Sequence, residues 1–247
     1  MFELNGKAAL VTGAAKRLGN AIAIGLAKQG INVILHYGKS EGEAKKLQGE
    51  IAELGVKSWL VKADFSNSQL CEALIEQAHE LSGGIDILVN NASIFSVSKI
   101  DNVSLEDINM NMLVNAWTPF LLSWSFSKKT AQGKIVNLLD TRIVGYDFNH
   151  FAYYLSKRML EILTKSLALK LAPNITVNGI APGLILPPEG KDYAYLEQKK
   201  DTVPLRKIGA PSNIVETVLF LLKNDYVTGQ VIHVDGGKHL IQTIEGV

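Results

Sequence analysis

The stretch Lys7-Ala-Ala-Leu-Val-Thr-Gly-Ala-Ala-Lys-Arg-Leu-Gly19 determines how this chain begins to fold. Its apolar run at 8–12 is typical of a strand buried on both faces, and the turn after it leads into a helical pattern at 21–28. Backbone N–H groups and a helix N-terminus in such a turn favour a pyrophosphate. Gly13 permits the tight turn, and Gly19 lets the helix approach the strand closely. We therefore predict a dinucleotide site formed by Gly13, Arg17, Leu18 and Gly19.

Apolar runs and helical patterns then alternate along the chain. Further strands are predicted at 31–37, 58–64, 85–92, 134–139, 175–180 and 230–237. Helices are predicted at 40–54 with Ser40 as N-cap, from Ser66 or Ser68 to 81, at 105–128 with an interruption near Pro119, at 153–171 and at 211–222. Strands separated by helices of this length demand a parallel sheet covered on both faces. The predicted fold class is α/β, a single Rossmann-type doubly wound domain over 1–247 with about seven strands and helices on both faces.

Composition narrows the class of protein. The 247 residues are 47% hydrophobic and 20% charged, with a formal net charge of +1, which argues against nucleic acid or an anionic membrane as a partner. The single cysteine, Cys71, excludes an internal disulfide and a thiolate zinc cluster and fits a reducing compartment. The N-terminus lacks a signal-peptide pattern, and the five histidines lack metal-ligand spacing or a carboxylate pairing. We therefore expect a cytoplasmic protein without a metal site.

The end of the second predicted strand bears on the choice of cofactor. An NAD site usually carries an acidic residue there to bind the ribose hydroxyls, but this chain has His36. With Lys39, Ser40 and Arg17 nearby, the site offers cationic and hydroxyl donors suited to a 2′-phosphate dianion. NADP(H) is therefore predicted over NAD(H). The competing interpretation is that His36, Lys39 and Arg17 are solvated basic residues at the edge of a loop and bind no phosphate.

Tyr153 and Lys157 are four residues apart and fall on one face of the predicted helix. An ammonium beside a phenol favours the ionised phenol, which makes this weak acid usable near neutral pH. The same spacing occurs by chance in many helices, so the pair gains weight only from the rest of the chain. Asp140, thirteen residues before Tyr153, either takes part in the chemistry or caps a turn.

Five features follow one another along the chain: TGAAKRLG at 12–19, NNAS at 90–93, Asn115, the pair of Tyr153 and Lys157, and APG at 181–183. With these features the chain resembles the short-chain dehydrogenase/reductase family over essentially its whole length. LHYGKS at 35–40, LAPNITVNGIAPGLIL at 171–186 and Asp140 make it most similar to the pteridine reductases and the related dihydromonapterin reductases. Most family members have serine at the position of Asp140.

The resemblance implies a role for each matched residue. Asp64 would contact the adenine, Asn91 and Ala92 would line the cofactor, Lys157 would bind the nicotinamide ribose, Pro182 and Gly183 would border the nicotinamide, Asn115 would hold a water in the proton relay, and Phe95 would stack on a pterin. The residues themselves leave alternatives open: Phe95 as ordinary packing, Asn115 bonded to helix backbone around a bend, and Asp64 as a helix cap. Tyr154 lacks the spacing to Lys157 and is expected to pack.

The expected function is NADPH-dependent reduction of a pteridine-type small molecule, such as dihydropterin, dihydrofolate or dihydromonapterin. Tyr153 supplies or relays the proton, with its pKa lowered by Lys157 and by the nicotinium charge, and Asp140 favours a C=N bond over a carbonyl. Ser96 and Val97 depart from the usual pterin-site pattern, so a carbonyl reductase such as a 3-oxoacyl reductase is the alternative. A non-catalytic NADPH-binding module is the third interpretation.

The segment at 182–207 holds four of the seven prolines, and we expect no regular element to dominate it. Its part at 184–207 follows the sixth predicted strand, where this fold builds a substrate lid. The family resemblance also implies a homotetramer, with the apolar helices near 105–128 and 153–171 as the surfaces that pair.

Overall fold

A seven-stranded parallel sheet forms the centre of the protein. The computed structural model describes residues 2–67, 69–241 and 244–245. The strands of the sheet are β1 (Ala8–Val11), β2 (Asn32–Tyr37), β3 (Ser58–Lys62), β4 (Ile87–Asn90), β5 (Gly133–Leu138), β7 (Ile175–Pro182) and β8 (Val231–Val234). They are ordered β3-β2-β1-β4-β5-β7-β8, while β6 (Tyr146–Asp147) pairs separately with β9 (Ile244–Glu245). The predicted α/β doubly wound fold is confirmed.

Helices cover both faces of this sheet. They are α1 (Arg17–Ala27), α2 (Glu41–Glu53), α3 (Gln69–Ser82), α4 (Leu105–Met112), α5 (Thr118–Lys129), α6 (Phe151–Leu171), α7 (Tyr193–Lys199) and α8 (Pro211–Lys223). Helix α1 packs beside α8, and α3 packs beside α5. None of the helices in the described part of the chain is both long enough and apolar enough to span a lipid bilayer.

Strand β1 explains why the first apolar run predicts a buried strand so clearly. Ala9 and Val11 belong to the core cluster on one side of the sheet, and Ala8 and Leu10 belong to the cluster on the other side. Successive side chains of a strand point to opposite faces, so a strand covered by helices on both faces must be apolar throughout.

The chain changes direction across the sheet at β1, which has β2 on one side and β4 on the other. Open α/β sheets bind ligands at the carboxyl ends of the strands at such a switch point. Thr12 follows β1 and Asn91 follows β4. The fold therefore brings the predicted phosphate turn and the predicted cofactor wall to the same crevice.

Two stretches differ from their predictions. The helix expected at 105–128 is divided into α4 and α5 by a π-helical turn, Leu113–Trp117, and Pro119 lies in the first turn of α5, where its missing N–H is tolerated. The segment at 182–207 contains the short helix α7, which the sequence pattern did not predict, although no regular element dominates the segment. Ser68, one of the two predicted caps of α3, lies outside the described residues.

Candidate active site

The turn after β1 is tied to the end of β4 by side-chain hydrogen bonds. The hydroxyl of Thr12 accepts bonds from the backbone N–H groups of Asn91 at 2.9 Å and Ala92 at 3.0 Å, and Asn91 Nδ2 donates to the Thr12 carbonyl at 2.9 Å. Gly13 has a φ of +61°, and a Cβ on Gly19 would lie 2.1 Å from the Gly13 carbonyl oxygen. This close approach of helix and strand is the one expected from the sequence, and it leaves the turn's backbone shaped for a phosphate.

His36 has a different place from the one predicted. Its Nδ1 accepts the N–H of Gly13 at 3.0 Å, its Nε2 donates to the Ala63 carbonyl at 3.0 Å, and its ring stacks on Phe65 at 4.3 Å. Burial lowers the pKa of His36 to about 4. The prediction that His36 supplies a cationic donor to a 2′-phosphate is therefore wrong, because the buried ring is neutral and braces the phosphate turn from behind.

Arg17 and Lys39 remain exposed beside this turn. Arg17 opens α1 with a φ of +56°, and its Nη2 donates to the Pro187 carbonyl in the predicted lid at 2.6 Å. Ser40 stands at the N-cap position of α2. Two of the predicted cations thus lie beside the phosphate turn, with a hydroxyl near them, and their contact with a 2′-phosphate stays a prediction.

Leu18 and Asp64 occupy the edges of the predicted cofactor site. Leu18 packs against the hydrophobic core beneath the turn. Asp64 is exposed, and its Oδ1 accepts bonds from the backbone N–H of Ser66 at 3.0 Å and from the Ser66 hydroxyl at 2.9 Å. These bonds lower the pKa of Asp64. Asp64 thus caps the turn at Ser66 and not the start of α3, which begins at Gln69, and its contact with an adenine stays a prediction.

Tyr153 and Lys157 lie one turn apart near the start of α6, and both are buried. The Tyr153 hydroxyl donates a hydrogen bond of 2.9 Å to Asp140 Oδ2, and Lys157 Nζ lies 5.6 Å from the centroid of the Tyr153 ring. Asp140 follows β5, and its Oδ1 accepts the N–H of Arg142 at 2.9 Å. Asp140 therefore caps a turn and contacts the phenol at the same time, and its part in the chemistry stays a prediction.

The electrostatics of this pair differ from the sequence prediction. Burial and the carboxylate of Asp140 raise the pKa of Tyr153 well above its ordinary value, although Arg142 opposes them. Burial lowers the pKa of Lys157 to about 8, against the opposite effect of Asp140. The prediction that Lys157 lowers the pKa of Tyr153 is therefore wrong for the protein by itself. The effect of a nicotinium charge stays a prediction.

Asn115 lies in the π-helical turn and joins two parts of the site. Its Oδ1 accepts the N–H of Ile94 at 2.9 Å, and its Nδ2 donates to the Ile94 carbonyl at 3.0 Å and to the Ser156 hydroxyl at 3.1 Å. The side chain thus ties the loop after β4 to α6 instead of bonding helix backbone around a bend. Single π-helical turns often mark functional sites, and the water-holding role of Asn115 stays a prediction.

Phe95 stands at the mouth of the site and is 41% exposed. Its ring stacks on His150 at 4.3 Å and meets the edge of Tyr153 at 4.8 Å. The segment after it is held against α6, because Ser98 accepts the N–H of Phe151 at 2.9 Å through its carbonyl. This exposure beside Tyr153 is unlike ordinary core packing, whereas Tyr154 is buried and packs against Tyr146 and Phe151, as expected.

Pro182 is the last residue of β7, and Gly183 follows it close to the end of β8. The N–H of Gly183 donates to the Val234 carbonyl at 3.0 Å, and a Cβ on Gly183 would lie 2.5 Å from the Cβ of Asp235. Any side chain at position 183 would therefore push these strand ends apart. The pair borders the carboxyl edge of the sheet, where the nicotinamide is expected.

Three residues that the sequence reasoning missed extend the site. Arg142 pairs through Nη1 with Asp140 Oδ2 at 3.2 Å and through Nε with Asp147 Oδ2 at 2.8 Å. Asp147 also pairs with Nδ1 of His150 at 3.0 Å. The only signal in the sequence is the close spacing of charged residues within 140–150.

The loop after β8 brings two histidines beside Asp235. Nδ1 of His239 lies 2.9 Å from Asp235 Oδ2, and the rings of His233 and His239 stack at 4.2 Å. The expectation that no histidine pairs with a carboxylate is therefore wrong. The oxygens of Asp235 already accept hydrogen bonds from the N–H groups of Gly237 and His239 and from the hydroxyl of Thr141. The cluster of His233, Asp235 and His239 is therefore explained by a structural role, which is to hold the loop after β8 in place. The absence of a metal site stays a prediction.

Comparisons with known proteins agree with this arrangement. The sequence model of a family described as Enoyl-(Acyl carrier protein) reductase matches residues 13–239. A 3-oxoacyl-(acyl-carrier-protein) reductase of Aquifex aeolicus is 37% identical over 250 residues, which cover 96% of this chain and 98% of the relative. These two matches extend over nearly the whole chain.

Solved structures resemble the whole fold. The FolM alternative dihydrofolate reductase 1 of Brucella canis, complexed with NADP, has a TM-score of 0.92 at 33% identity, covering 97% of this chain and 96% of that chain. A variant short-chain dehydrogenase/reductase of Serratia marcescens has a TM-score of 0.89 at 29% identity, covering 96% of this chain and 99% of that chain. Taken with the sequence matches, these similarities assign the protein as an oxidoreductase that belongs to the short-chain dehydrogenase/reductase family.

Proposed function

We propose that the protein reduces a pteridine-type substrate with NADPH, with dihydropterin, dihydrofolate and dihydromonapterin as the candidate substrates. The observation that carries this proposal is the carboxylate of Asp140, which accepts a hydrogen bond of 2.9 Å from the Tyr153 hydroxyl. A carboxylate at this position serves a nitrogen heterocycle better than a ketone. The similarity to the Brucella canis alternative dihydrofolate reductase supports the same substrate class.

The chemistry of C=N reduction explains the preference. The reaction adds a hydride to carbon and a proton to nitrogen. A phenol with a raised pKa stays protonated at neutral pH, so Tyr153 holds the proton that the nitrogen receives. Asp140, in an ion pair with Arg142, accepts hydrogen bonds and favours a ring that presents an N–H. The same carboxylate opposes the negative charge that develops on a carbonyl oxygen during ketone reduction.

The cofactor site fits NADP(H). Bound NADPH supplies the hydride. The turn at Gly13 and Gly19 has no room for a Cβ at position 19 and directs backbone N–H groups and the start of α1 towards a phosphate. Arg17 and Lys39 supply the charge for a 2′-phosphate, since the neutral His36 does not. We assign Asp64, Asn91, Ala92, Lys157, Pro182 and Gly183 to the rest of the cofactor site on the family resemblance.

A 3-oxoacyl reductase is the second candidate. The Aquifex aeolicus relative at 37% identity favours it, and Ser96 and Val97 depart from the usual pterin-site pattern. Asp140 argues against it, because the serine that most family members carry at this position donates a hydrogen bond to a carbonyl oxygen. The two candidates therefore differ in the chemistry of one residue.

A substrate panel separates the two candidates. Purified protein is given NADPH with a dihydropterin, with dihydrofolate and with a 3-oxoacyl thioester, and NADPH oxidation is followed. We expect kcat/KM for at least one pteridine to exceed that for the thioester by about 100-fold or more, a difference of about 3 kcal/mol in transition-state binding. Turnover of the thioester without turnover of any pteridine would refute the proposal in favour of the second candidate.

The surroundings of the site carry two further parts of the proposal. The segment at 184–207 acts as the substrate lid, and its Pro187 carbonyl already accepts a hydrogen bond from Arg17 at 2.6 Å.

Large apolar side chains are exposed near the predicted pairing surfaces. Trp117 is exposed just before α5, and on α6 Ile162 is 59% and Leu169 84% exposed. This exposure supports self-association into the tetramer typical of the family. Light scattering in solution measures the oligomeric state, and a monomer would exclude this part.

A further inference from the structure

Arg142 bridges two carboxylates on the loop between β5 and α6. Its Nη1 lies 3.2 Å from Asp140 Oδ2, and its Nε lies 2.8 Å from Asp147 Oδ2. The positively charged guanidinium therefore lies between the two carboxylates and forms an ion pair with each. The oxygen of Asp140 that Arg142 contacts is the same oxygen that accepts the Tyr153 hydroxyl.

Asp147 fixes the far end of this bridge. Its side chain is 1% exposed, and its Oδ1 accepts the backbone N–H groups of Asn149 at 3.0 Å and His150 at 2.9 Å. Its Oδ2 meets His150 Nδ1 at 3.0 Å. His150 in turn stacks on Phe95. One buried carboxylate therefore holds both the guanidinium beside Asp140 and the imidazole beside the exposed aromatic ring.

We infer that Arg142, held in place by Asp147, is the positioning residue for proton transfer between Tyr153, Asp140 and the substrate. The guanidinium fixes the orientation of the Asp140 carboxylate and compensates the two negative charges next to the phenol. Arg142 acts through Asp140. The inference rests on the proposed function only in requiring that Tyr153 transfers a proton to a substrate.

The charges around Tyr153 give the direction of the effect. Asp140 and Arg142 face it from the loop after β5, Asp147 and His150 from the stretch before α6, and Lys157 from α6 itself. Asp140 and Asp147 act to raise the pKa of the phenol, and Arg142 acts to lower it. Removing Arg142 therefore leaves the buried Asp147 and the partly buried Asp140 without their shared cation and moves the alkaline limb of the pH–rate profile to higher pH.

The test compares Arg142→Met and Arg142→Lys with the control Arg158→Met. Arg158 donates to the Gly145 carbonyl at 3.1 Å and lies 5.1 Å from the Tyr154 ring, so it shares the neighbourhood without a described contact to either carboxylate. We expect Arg142→Met to lower kcat about tenfold or more with an unchanged KM for NADPH. Arg142→Lys should recover part of the loss, and Arg158→Met should keep the kcat and pH profile of the wild type.

A second substitution distinguishes positioning from general damage to the loop. In Arg142→Met the two carboxylates repel each other, so adding Asp147→Asn removes one of the charges. The double variant should have a higher kcat than Arg142→Met, and its alkaline limb should return towards that of the wild type. Circular dichroism and thermal midpoints of all variants check the fold, and the double variant should melt no lower than Arg142→Met.

Three results would overturn the inference: a wild-type pH profile in Arg142→Met, an equal loss in Arg158→Met, or a double variant whose losses simply multiply. The profiles are measured with whichever substrate the wild type turns over. If that substrate is the 3-oxoacyl thioester, the proposed function fails while the Arg142 series still decides this inference. If the wild type turns over neither substrate class, both proposals fail.

Discussion

Lys157 Nζ donates a 2.8 Å hydrogen bond to the carbonyl oxygen of Leu138, the last residue of β5. This bond ties the start of α6 to the end of a central strand. Tyr153 lies one helical turn before Lys157, and Asp140 lies two residues after Leu138. The 2.9 Å contact between phenol and carboxylate is therefore set by the anchoring of both elements as well as by the two side chains themselves.

The burial of Lys157 predicts a pH-dependent stability. Its pKa is about 8 in the folded protein against 10.5 as the reference, so the unfolded chain binds more protons between these values. The free energy of unfolding therefore rises with pH in this window, by at most about 1.4 kcal/mol per pH unit. Lys157→Met removes this contribution. The free energy of unfolding, measured with urea between pH 7.5 and 9.5, should rise more steeply with pH in the wild type than in Lys157→Met. An equal slope in both proteins would contradict the prediction.

Tyr153→Phe should lower kcat for the natural substrate by about 10²–10⁴-fold, the usual contribution of general acid catalysis. Tyr154→Phe is the matched control, because Tyr154 is the adjacent tyrosine but packs against Tyr146 and Phe151. Steady-state kinetics with NADPH measures both. The assignment fails if Tyr153→Phe retains wild-type turnover or if the two variants lose activity equally.

Asp140→Ser should change the choice of substrate. Loss of the carboxylate removes the partner of the ring nitrogen, and serine supplies a donor for a carbonyl oxygen. We expect pteridine turnover to fall by about 100-fold and ketone turnover by less than about tenfold. Asp140 also raises the pKa of Tyr153, so the alkaline limb of the pH–rate profile should move to lower pH in the variant. An equal fall with both substrate types would rule out the proposed role in discrimination.

The sheet and the proximity of Tyr153 and Lys157 could be predicted from the sequence because local patterns encode them. Burial on both faces makes β1 apolar throughout, and helical periodicity places Tyr153 and Lys157 on one face. The helix inside the predicted lid, α7, was missed because Pro187 and Pro188 precede it and dominate the local pattern. Proline content predicted a largely irregular segment but not the helix within it.

Charge states could not be predicted because they depend on distant parts of the chain. His36 looks like a basic residue at a strand end, but Gly13, Ala63 and Phe65 enclose it in the fold. The pKa of Tyr153 likewise depends on burial and on a carboxylate supplied by another element. Spacing along a helix predicts which side chains are neighbours, whereas desolvation decides which form of each is stable.

Lys39→Ala should weaken NADPH binding selectively. An exposed cation beside a 2′-phosphate forms a charge-assisted hydrogen bond, and its loss should raise the KM for NADPH by about 10-fold or more. The KM for NADH, which lacks this phosphate, should not change. Lys46→Ala on α2 is the control, since its side chain is 80% exposed and pairs with Glu50. A wild-type preference for NADH would refute the assignment of Lys39.

The free energy of unfolding of the wild type should fall at mildly acidic pH because of His36, and His36→Asn should abolish this fall. The pKa of His36 is about 4 in the folded protein and 6.5 as the reference, so between these values the unfolded chain binds more protons. The free energy of unfolding then falls as the pH falls, by at most about 1.4 kcal/mol per pH unit from this group. The variant does not titrate there, so its curve should be flatter.

The same substitution should weaken the phosphate turn at neutral pH, because asparagine reaches Gly13 or Ala63 but not both. One lost hydrogen bond of this kind costs about 1–3 kcal/mol when its partner stays buried. Denaturant unfolding from pH 4.5 to 7 and the KM for NADPH measure the two effects. If the wild type and the variant keep a constant difference over this range, His36 binds protons equally in the folded and unfolded states, which would contradict a pKa lowered by burial.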